Sequence, residues 1–157
     1  MSKKEVVLKL FADVGNANNR DERKKIRHEI INVCKPVIDN LCRLHIKFQQ
    51  PSDELEDYGN WLIACERAGR PLPSLKSPVL DEERGKISFV FDEMGLDNVA
   101  VLELSMLEDG AEKEVEDLFM EMRINDLEYS IADGEDENKQ ELDELKKLLQ
   151  ERKGDSK

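Results

Sequence analysis

The sequence predicts an α+β protein that is predominantly helical: N-terminal helices that include one long kinked helix, a central antiparallel β-hairpin, and C-terminal helices. The apolar residues of Lys24–Phe48 recur at intervals of three and four, which is the period of an α-helix. From residue 86 to residue 106 they alternate, as in strands with one buried face. After residue 110 the helical period returns, so the strands are expected mainly in the middle of the chain.

The chain has 157 residues, which is enough for one domain with its own core and few for two. We therefore expect a single domain over residues 1–153 and a frayed tail over residues 154–157. Only 5% of the residues are aromatic and 38% are charged, so the core is expected to be aliphatic.

Two helices are predicted before residue 50. The first covers residues 3–14, and Gly15 is expected to end it as a C-cap glycine. Asn18 or Asn19 is expected to cap the second, because a short polar side chain can accept a hydrogen bond from the first N–H groups. The second helix carries the longest apolar stripe of the chain: Ile26, Ile30, Val33, Val37, Leu41, Leu44 and Phe48. Because this stripe keeps its phase across Pro36, we predict a kink there and not two helices.

A third helix is predicted over about residues 53–68, with Ser52 as its N-cap and Gly69 as its end. Its buried face is expected to comprise Leu55, Tyr58, Leu62 and Cys65. The next segment, Arg70–Pro78, has three prolines in nine residues and is predicted to be an extended connector.

Residues Lys86–Asp92 and Val99–Met106 are predicted to form the hairpin, with the turn-rich segment EMGLDN between them. A lone hairpin is marginally stable, so its apolar face is expected to lie on the helices or to gain a third strand. Residues 126–132 are the candidate for that strand, because their apolar and polar residues alternate. In the alternative, the helix predicted over Ala111–Arg123 continues through them; the pattern favours a break near Asn125.

Charge is distributed unevenly along the chain, which has a net charge of −12. Residues 1–50 hold 11 Lys and Arg against 6 Asp and Glu, whereas residues 108–157 hold 8 against 18. The acidic C-terminal part contains a loop, Asp133–Asn138, and a last predicted helix, Gln140–Lys153. A strongly acidic surface of this kind is suited to a basic partner.

We expect a small protein-binding module, an inhibitor or adaptor, that presents this acidic surface to a basic protein partner such as one that handles nucleic acid. The expected acidic contacts are Glu135, Asp136, Glu137, Glu141, Asp143 and Glu144. The expected apolar contacts are Leu142, Leu145 and Leu149 of the last helix. Such a stripe can dock on its own domain, pair with a copy of itself in a homodimer, or bind in a partner's groove. The composition is typical of small acidic proteins of phages and other mobile elements, without a shared motif.

An alternative function is a regulator that binds nucleic acid through the basic start of the long helix. The residues concerned are Arg20, Arg23, Lys24, Lys25 and Arg27. Such a cluster can bind a phosphate backbone, because each neutralised phosphate releases counterions. No nucleic-acid module is recognisable, however, and the interleaved aromatic residues of single-strand binders are missing. In the competing interpretation the basic helix faces the acidic half of its own chain.

A small enzyme or metal-binding protein without a recognisable motif is the third hypothesis. Cys42 and His45 lie three residues apart on a helix and can point at one ion, but zinc needs at least one further protein ligand. The loop DEMGLD brings together Asp92, Glu93 and Asp97 without the spacing of a calcium loop. No phosphate-binding loop or nucleophile elbow is present. We therefore expect a protein that is not an enzyme and that holds no cofactor or metal.

The sequence also predicts a cytoplasmic location. The three cysteines, Cys34, Cys42 and Cys65, lack the spacing of a disulfide framework and are expected to be reduced thiols. The N-terminal segment has neither the length nor the cleavage site of a signal peptide. No apolar run approaches the roughly 20 residues of a membrane span, so no membrane association is expected.

Overall fold

A computed structural model describes residues 1–50, 52, 54–134 and 136–154, and within these the predicted predominantly helical α+β class is confirmed. The helices are α1 (Lys3–Asn16), α2 (Arg20–Lys47), α3 (Glu56–Arg67), α4 (Ala111–Ala132) and α5 (Lys139–Gly154). The strands are β1 (Leu75–Asp81), β2 (Lys86–Glu93) and β3 (Leu96–Glu103). Short 3-10 helices cover Leu104–Leu107 and Asp136–Asn138.

Helix α2 is the element on which the other parts of the fold pack. Its N-cap is Asn19, as predicted, and the Asn19 side chain accepts a hydrogen bond of 2.8 Å from the Glu22 N–H. The helix continues through Pro36, so the chain forms one helix there and not two. With 28 residues it is about 42 Å long. Helix α1 does not end at Gly15, because Gly15 lies inside the helix and Ala17 follows as the C-cap.

Helix α3 begins later than predicted. Its first residue is Glu56, and Ser52 does not cap it with its side chain; the Ser52 carbonyl accepts a hydrogen bond of 2.9 Å from the Glu56 N–H. The predicted end at Gly69 is confirmed. Gly69 has a φ of +68°, and the following Arg70 N–H donates back to the carbonyl of Cys65, the arrangement of a Schellman C-cap.

The antiparallel sheet has the strand order β1-β2-β3, and its third strand comes from a segment other than the predicted one. Residues 126–132 are helical, whereas the segment predicted to be an extended connector leads into β1. Pro78 lacks an N–H group and is tolerated because β1 is an edge strand. The register between β1 and β2 shifts between Lys76 and Val79, where Ser77 has a φ of +55°.

The hairpin of β2 and β3 is confirmed, but its second strand begins and ends three residues earlier than predicted. Two residues, Met94 and Gly95, connect the strands, and both have positive φ, as a type I′ turn requires. Strand β3 ends at Glu103, and Leu104 begins a 3-10 helix. The inner face of the sheet is completely buried against the helices: Ile87, Phe89, Phe91, Ala100 and Leu102.

Helix α4 runs without interruption through Asn125, so the predicted break is wrong. The buried residues Met120, Ile124 and Leu127 follow one another at intervals of four and three across that position. This interval keeps all three on one face of a continuous helix. Apolar and polar residues alternate over residues 127–131 in the sequence, but this is not the pattern of a strand with one buried face. Leu127 faces the core, whereas Tyr129 faces solvent.

Two apolar clusters share helix α2. The larger one joins the first part of α2 to α1, α3 and the sheet. The smaller one joins Leu44 and Phe48, at the end of α2, to α4 and α5. The acidic pair of helices α4 and α5 therefore sits at the C-terminal end of α2. Of the predicted tail, Gly154 is the last residue of α5, and residues 155–157 lie outside the described residues.

None of the described helices has both the length and the apolar character needed to cross a membrane.

Candidate functional site

The predicted acidic contacts are distributed around the start of α5. Glu137, Asp143 and Glu144 are exposed. Glu141 is half-buried and accepts two hydrogen bonds, of 3.0 and 3.1 Å, from the guanidinium of Arg123. Asp136 begins a 3-10 helix, and Glu135 lies outside the described residues. Of the described side chains, the exposed ones remain available to a partner, whereas Glu141 is already engaged within the chain.

The three predicted apolar contacts serve the protein's own core. Leu142 and Leu149 are 7% and 9% exposed, and Leu145 packs beside them. Their neighbours are the buried residues Met120, Ile124 and Leu127 of α4, together with Leu44 and Phe48 of α2. Of the uses considered for this leucine stripe, docking on its own domain is the one that the structure shows. The expectation that these leucines contact a partner is therefore not retained.

Ion pairs hold α5 along one side of α4. Besides Arg123 with Glu141, Arg152 contacts Asp117 at 2.6 Å and Glu116 at 3.4 Å. Lys146 contacts Glu128 at 2.8 Å, and Lys153 contacts Glu121 at 3.0 Å. The hydrogen bond that Arg152 donates to the Asp117 carboxylate also raises the pKa of Arg152, which therefore stays charged. These pairs engage four of the seven basic side chains of α4 and α5 with carboxylates, whereas Lys113, Lys139 and Lys147 are exposed outside them.

The outer face of α4 carries an apolar stripe that the sequence reasoning did not identify as a site. Leu118, Met122 and Tyr129 are 51%, 40% and 78% exposed. Their intervals of four and seven place them on one face of the helix, over about 16 Å of its length. We name these three residues the α4 stripe. The spacing of these three residues is visible in the sequence, but it places them on one helix face only if α4 continues through Asn125.

Acidic residues flank the α4 stripe. Glu114 lies one turn before Leu118, Glu121 lies one turn after it, and Asp126 lies one turn after Met122. Glu121 also pairs with Lys153, and Asp126 accepts a hydrogen bond of 3.1 Å from the Gln50 amide. The basic residues within α4 are Lys113 and Arg123, and Arg123 is turned toward α5. The α4 stripe is therefore an exposed apolar surface with a negative border.

The basic residues predicted at the start of α2 do not all lie on the same side of the helix. Arg20, Lys24 and Arg27 follow at intervals of four and three and share one face of the helix. Arg23 is half-buried and donates to the Ala17 carbonyl, and Lys25 lies on another side. The acidic helices contact the opposite end of α2, so the interpretation that this cluster faces the acidic half of its own chain is wrong.

The candidate metal and thiol sites have structural roles. Burial raises the pKa of Cys42 to about 12, so the thiol is protonated at neutral pH. The Nδ1 atom of His45 lies 2.6 Å from the Gln50 carbonyl oxygen. In the predicted carboxylate loop, Asp92 accepts from the Gly95 N–H, while Asp97 pairs with Lys76. No group of three metal-ligating side chains is found among residues 1–50, 52, 54–134 and 136–154.

The structure contains a buried carboxylate, that of Asp39, which was not predicted from the sequence. Asp39 is 9% exposed and accepts hydrogen bonds of 2.6 Å from both the Tyr58 hydroxyl and the Lys35 ammonium group. Burial and the bond to Asp39 raise the pKa of Tyr58, so its hydroxyl stays protonated as the donor. The arrangement satisfies a carboxylate inside the core and links α2 to α3.

Comparisons with protein-family models, with curated proteins and with solved structures found no match to this chain.

Proposed function

We propose that the protein is a small protein-binding module, an inhibitor or adaptor, that binds a basic amphipathic surface of a partner protein through the outer face of α4. The observation that supports this proposal is the α4 stripe of Leu118, Met122 and Tyr129, exposed on a rigid helix and bordered by carboxylates. A partner that fits this surface combines apolar side chains with Lys or Arg, as an amphipathic basic helix does.

The two components of the surface have different roles. Covering the three side chains of the α4 stripe contributes on the order of 1 kcal/mol for each of them, since each is only partly exposed at the start. The carboxylates of α4 and the exposed Asp143 and Glu144 of α5 attract a basic partner over a longer range and favour it over an acidic one. Binding is therefore expected to weaken as salt rises, without vanishing.

The test is affinity capture of cellular proteins on the immobilised protein, with quantification by mass spectrometry. A stripe variant, Leu118→Ser with Tyr129→Ser, is compared with the wild type. The matched control is Met94→Ser with Leu96→Ser, which removes two apolar side chains that are more than half exposed, as Leu118 and Tyr129 are, at the sheet tip. We expect basic proteins that the wild type and the control retain and that the stripe variant loses about tenfold or more, since two hot-spot side chains are removed. Equal retention by all three proteins contradicts the proposal.

A second arm tests the acidic border. Glu114→Lys reverses one exposed charge beside the α4 stripe, whereas Glu82→Lys reverses one at the turn between β1 and β2. We expect only the first variant to lose the captured partner, and the loss to be larger at low salt because screening is weaker there. A partner whose retention ignores both salt and charge reversal contradicts the acidic part of the proposal.

A further inference from the structure

A groove of about 420 Å³ lies between the N-terminal half of α2 and the edge strand β1. Lys24, Arg27 and His28 line its helix side, and Lys76 lines its strand side. Arg20 continues the row one turn before Lys24. We name this surface the basic groove. It brings together a sequence cluster on a helix and a lysine about fifty residues further along the chain, so basic residues lie on both walls.

The charges of the basic groove are largely uncompensated. Within the described part of the chain, no ion pair engages Lys24 or Arg27, and both are exposed. Lys76 lies 3.3 Å from the Asp97 carboxylate, but both side chains are more than half exposed, so this pair is weak. Of the nearby acids, Glu22 and Glu29 lie on the other side of α2, whereas the exposed Asp21 lies one turn before Lys24 and reduces the positive charge at that end of the row.

The acidic part of the protein is far from the basic groove. Helices α4 and α5 pack against Leu44 and Phe48, about 30 Å along α2 from Lys24. The Debye length at physiological ionic strength is about 8 Å, so the carboxylates of α4 and α5 neither neutralise the groove nor repel an anion bound there. A protein with a net charge of −12 thus keeps a local positive surface.

The form of the groove favours a chain of phosphates as its ligand. Its cations follow one another along α2 at about 5–6 Å per helical turn and do not converge on one point, as they would for a single phosphate. The apolar face of this part of α2 is packed in the core, with Ile30 and Cys34 completely buried. No apolar face of α2 is therefore left to insert into a bilayer, as an interfacial helix requires.

The edge strand adds backbone groups to the groove. The segment Lys76–Val79 departs from regular pairing with β2, and Ser77 and Pro78 line the groove with Lys76. A bulge and a proline protect an edge strand from pairing with another chain. This edge is thus shielded from a second β-strand, and its residues Lys76–Val79 form the strand wall of the groove.

We propose that the basic groove between α2 and β1 binds the phosphate backbone of a nucleic acid, without reading its sequence. Arg20, Lys24, Arg27 and Lys76 are the proposed phosphate contacts. Contacts of this kind position a protein on nucleic acid and carry no base specificity. The site is independent of the α4 stripe, so the two proposals stand or fall separately.

The test is fluorescence anisotropy with short labelled duplex DNA, single-stranded DNA and RNA, at about 50 and 200 mM salt. We expect the affinity to fall about a hundredfold between these salt concentrations if four phosphates are contacted. Lys24→Glu with Arg27→Glu is expected to weaken binding at least tenfold and to reduce the salt slope by about two. Lys76→Glu, on the opposite wall, is expected to weaken binding as well.

The matched control is Lys139→Glu with Lys147→Glu, which changes the net charge equally through exposed lysines of α5. It is expected to leave the affinity within about twofold, because those lysines lie outside the groove. Circular dichroism of each variant confirms that it is folded. The proposal is overturned if the control weakens binding as much as the groove variant, or if Lys76→Glu has no effect. It is also overturned if inorganic phosphate abolishes binding at equal ionic strength, or if phosphatidylserine vesicles bind the groove and no nucleic acid does.

Discussion

Asp39 shows how this protein accommodates a charge inside its core. A carboxylate removed from water loses its hydration, and this cost is offset only when strong hydrogen bonds replace it. Lys35 and Tyr58 supply two such bonds, each of 2.6 Å, from α2 and α3. Nothing in the sequence distinguishes Asp39 from the many exposed acids, because the partner Tyr58 lies 19 residues away.

The buried thiols give a prediction at the residue scale. Burial raises the pKa of both Cys34 and Cys42 from an ordinary value of 9.0 to about 12. Because the folded-state pKa lies above the unfolded one, their contribution to stability is complete below pH 9.0 and is lost as the pH rises toward 12. We expect the free energy of unfolding to fall in this range by about 1.4 kcal/mol per pH unit for each thiol.

Urea unfolding across this range measures the effect. Cys34→Ala lowers stability at every pH, since it leaves a cavity, but its stability is expected to decline less steeply above pH 9.0 than that of the wild type. Lysines and tyrosines that titrate in the same range are common to both proteins and cancel in the difference. Parallel pH profiles for the two proteins would contradict the assignment.

At the scale of elements, the contact between α2 and α3 depends on a glycine. A Cβ atom added at Gly59 would lie 3.2 Å from the Cys42 Cβ and 3.4 Å from its Sγ. Helices approach this closely only where one of them lacks a side chain. Gly59 is therefore a packing residue inside α3, despite the low helix propensity of glycine.

Two glycine substitutions are expected to act in opposite directions. Gly59→Val is expected to lower the free energy of unfolding by about 1–3 kcal/mol, because the added side chain overpacks the α2–α3 contact. Gly15→Ala is expected to raise it by up to about 0.5 kcal/mol, since Gly15 is the second-last residue of α1 and has open space around it. Denaturant unfolding measures both. A stabilising Gly59→Val would show that α2 and α3 are not in the described contact.

The position at which helix α4 ends determines which residues share its outer face. If α4 ended near Asn125, Tyr129 would not lie on the same helix as Leu118 and Met122. As one helix of 22 residues, it places all three on the same outer face while Met120, Ile124 and Leu127 remain inside. The α4 stripe could therefore have been predicted from spacing alone, had the alternation of residues 127–131 been interpreted as helical.

At the scale of the whole molecule, α2 connects two apolar clusters and separates two charged surfaces. Its first part supports the sheet, and its end supports the acidic helices through Leu44 and Phe48. The basic groove consequently lies beside the first half of α2, whereas the α4 stripe lies on a helix that packs at the other end of α2.

The shared helix also predicts cooperative unfolding of one domain, the expectation drawn from the sequence for residues 1–153. Trp61, the only tryptophan, packs against the larger cluster, whereas far-UV circular dichroism also reports α4 and α5. We expect thermal transitions followed by Trp61 fluorescence and by dichroism to coincide. Loss of helix at a temperature below the Trp61 transition would show that α4 and α5 form a separate unit.

The amino-acid sequence was sufficient to predict the class of the fold, the types and approximate order of most elements, and the separation of basic and acidic ends. These depend on periodicity and composition, which are local. Contacts between distant segments determine that Leu142 and Leu149 are core while Leu118 and Tyr129 are surface. They also add β1 (Leu75–Asp81) to the predicted hairpin and place Lys76 at the basic groove. The physical reason is that a helix or strand shows in its sequence which faces are apolar, whereas distant parts of the chain decide which of those faces is covered.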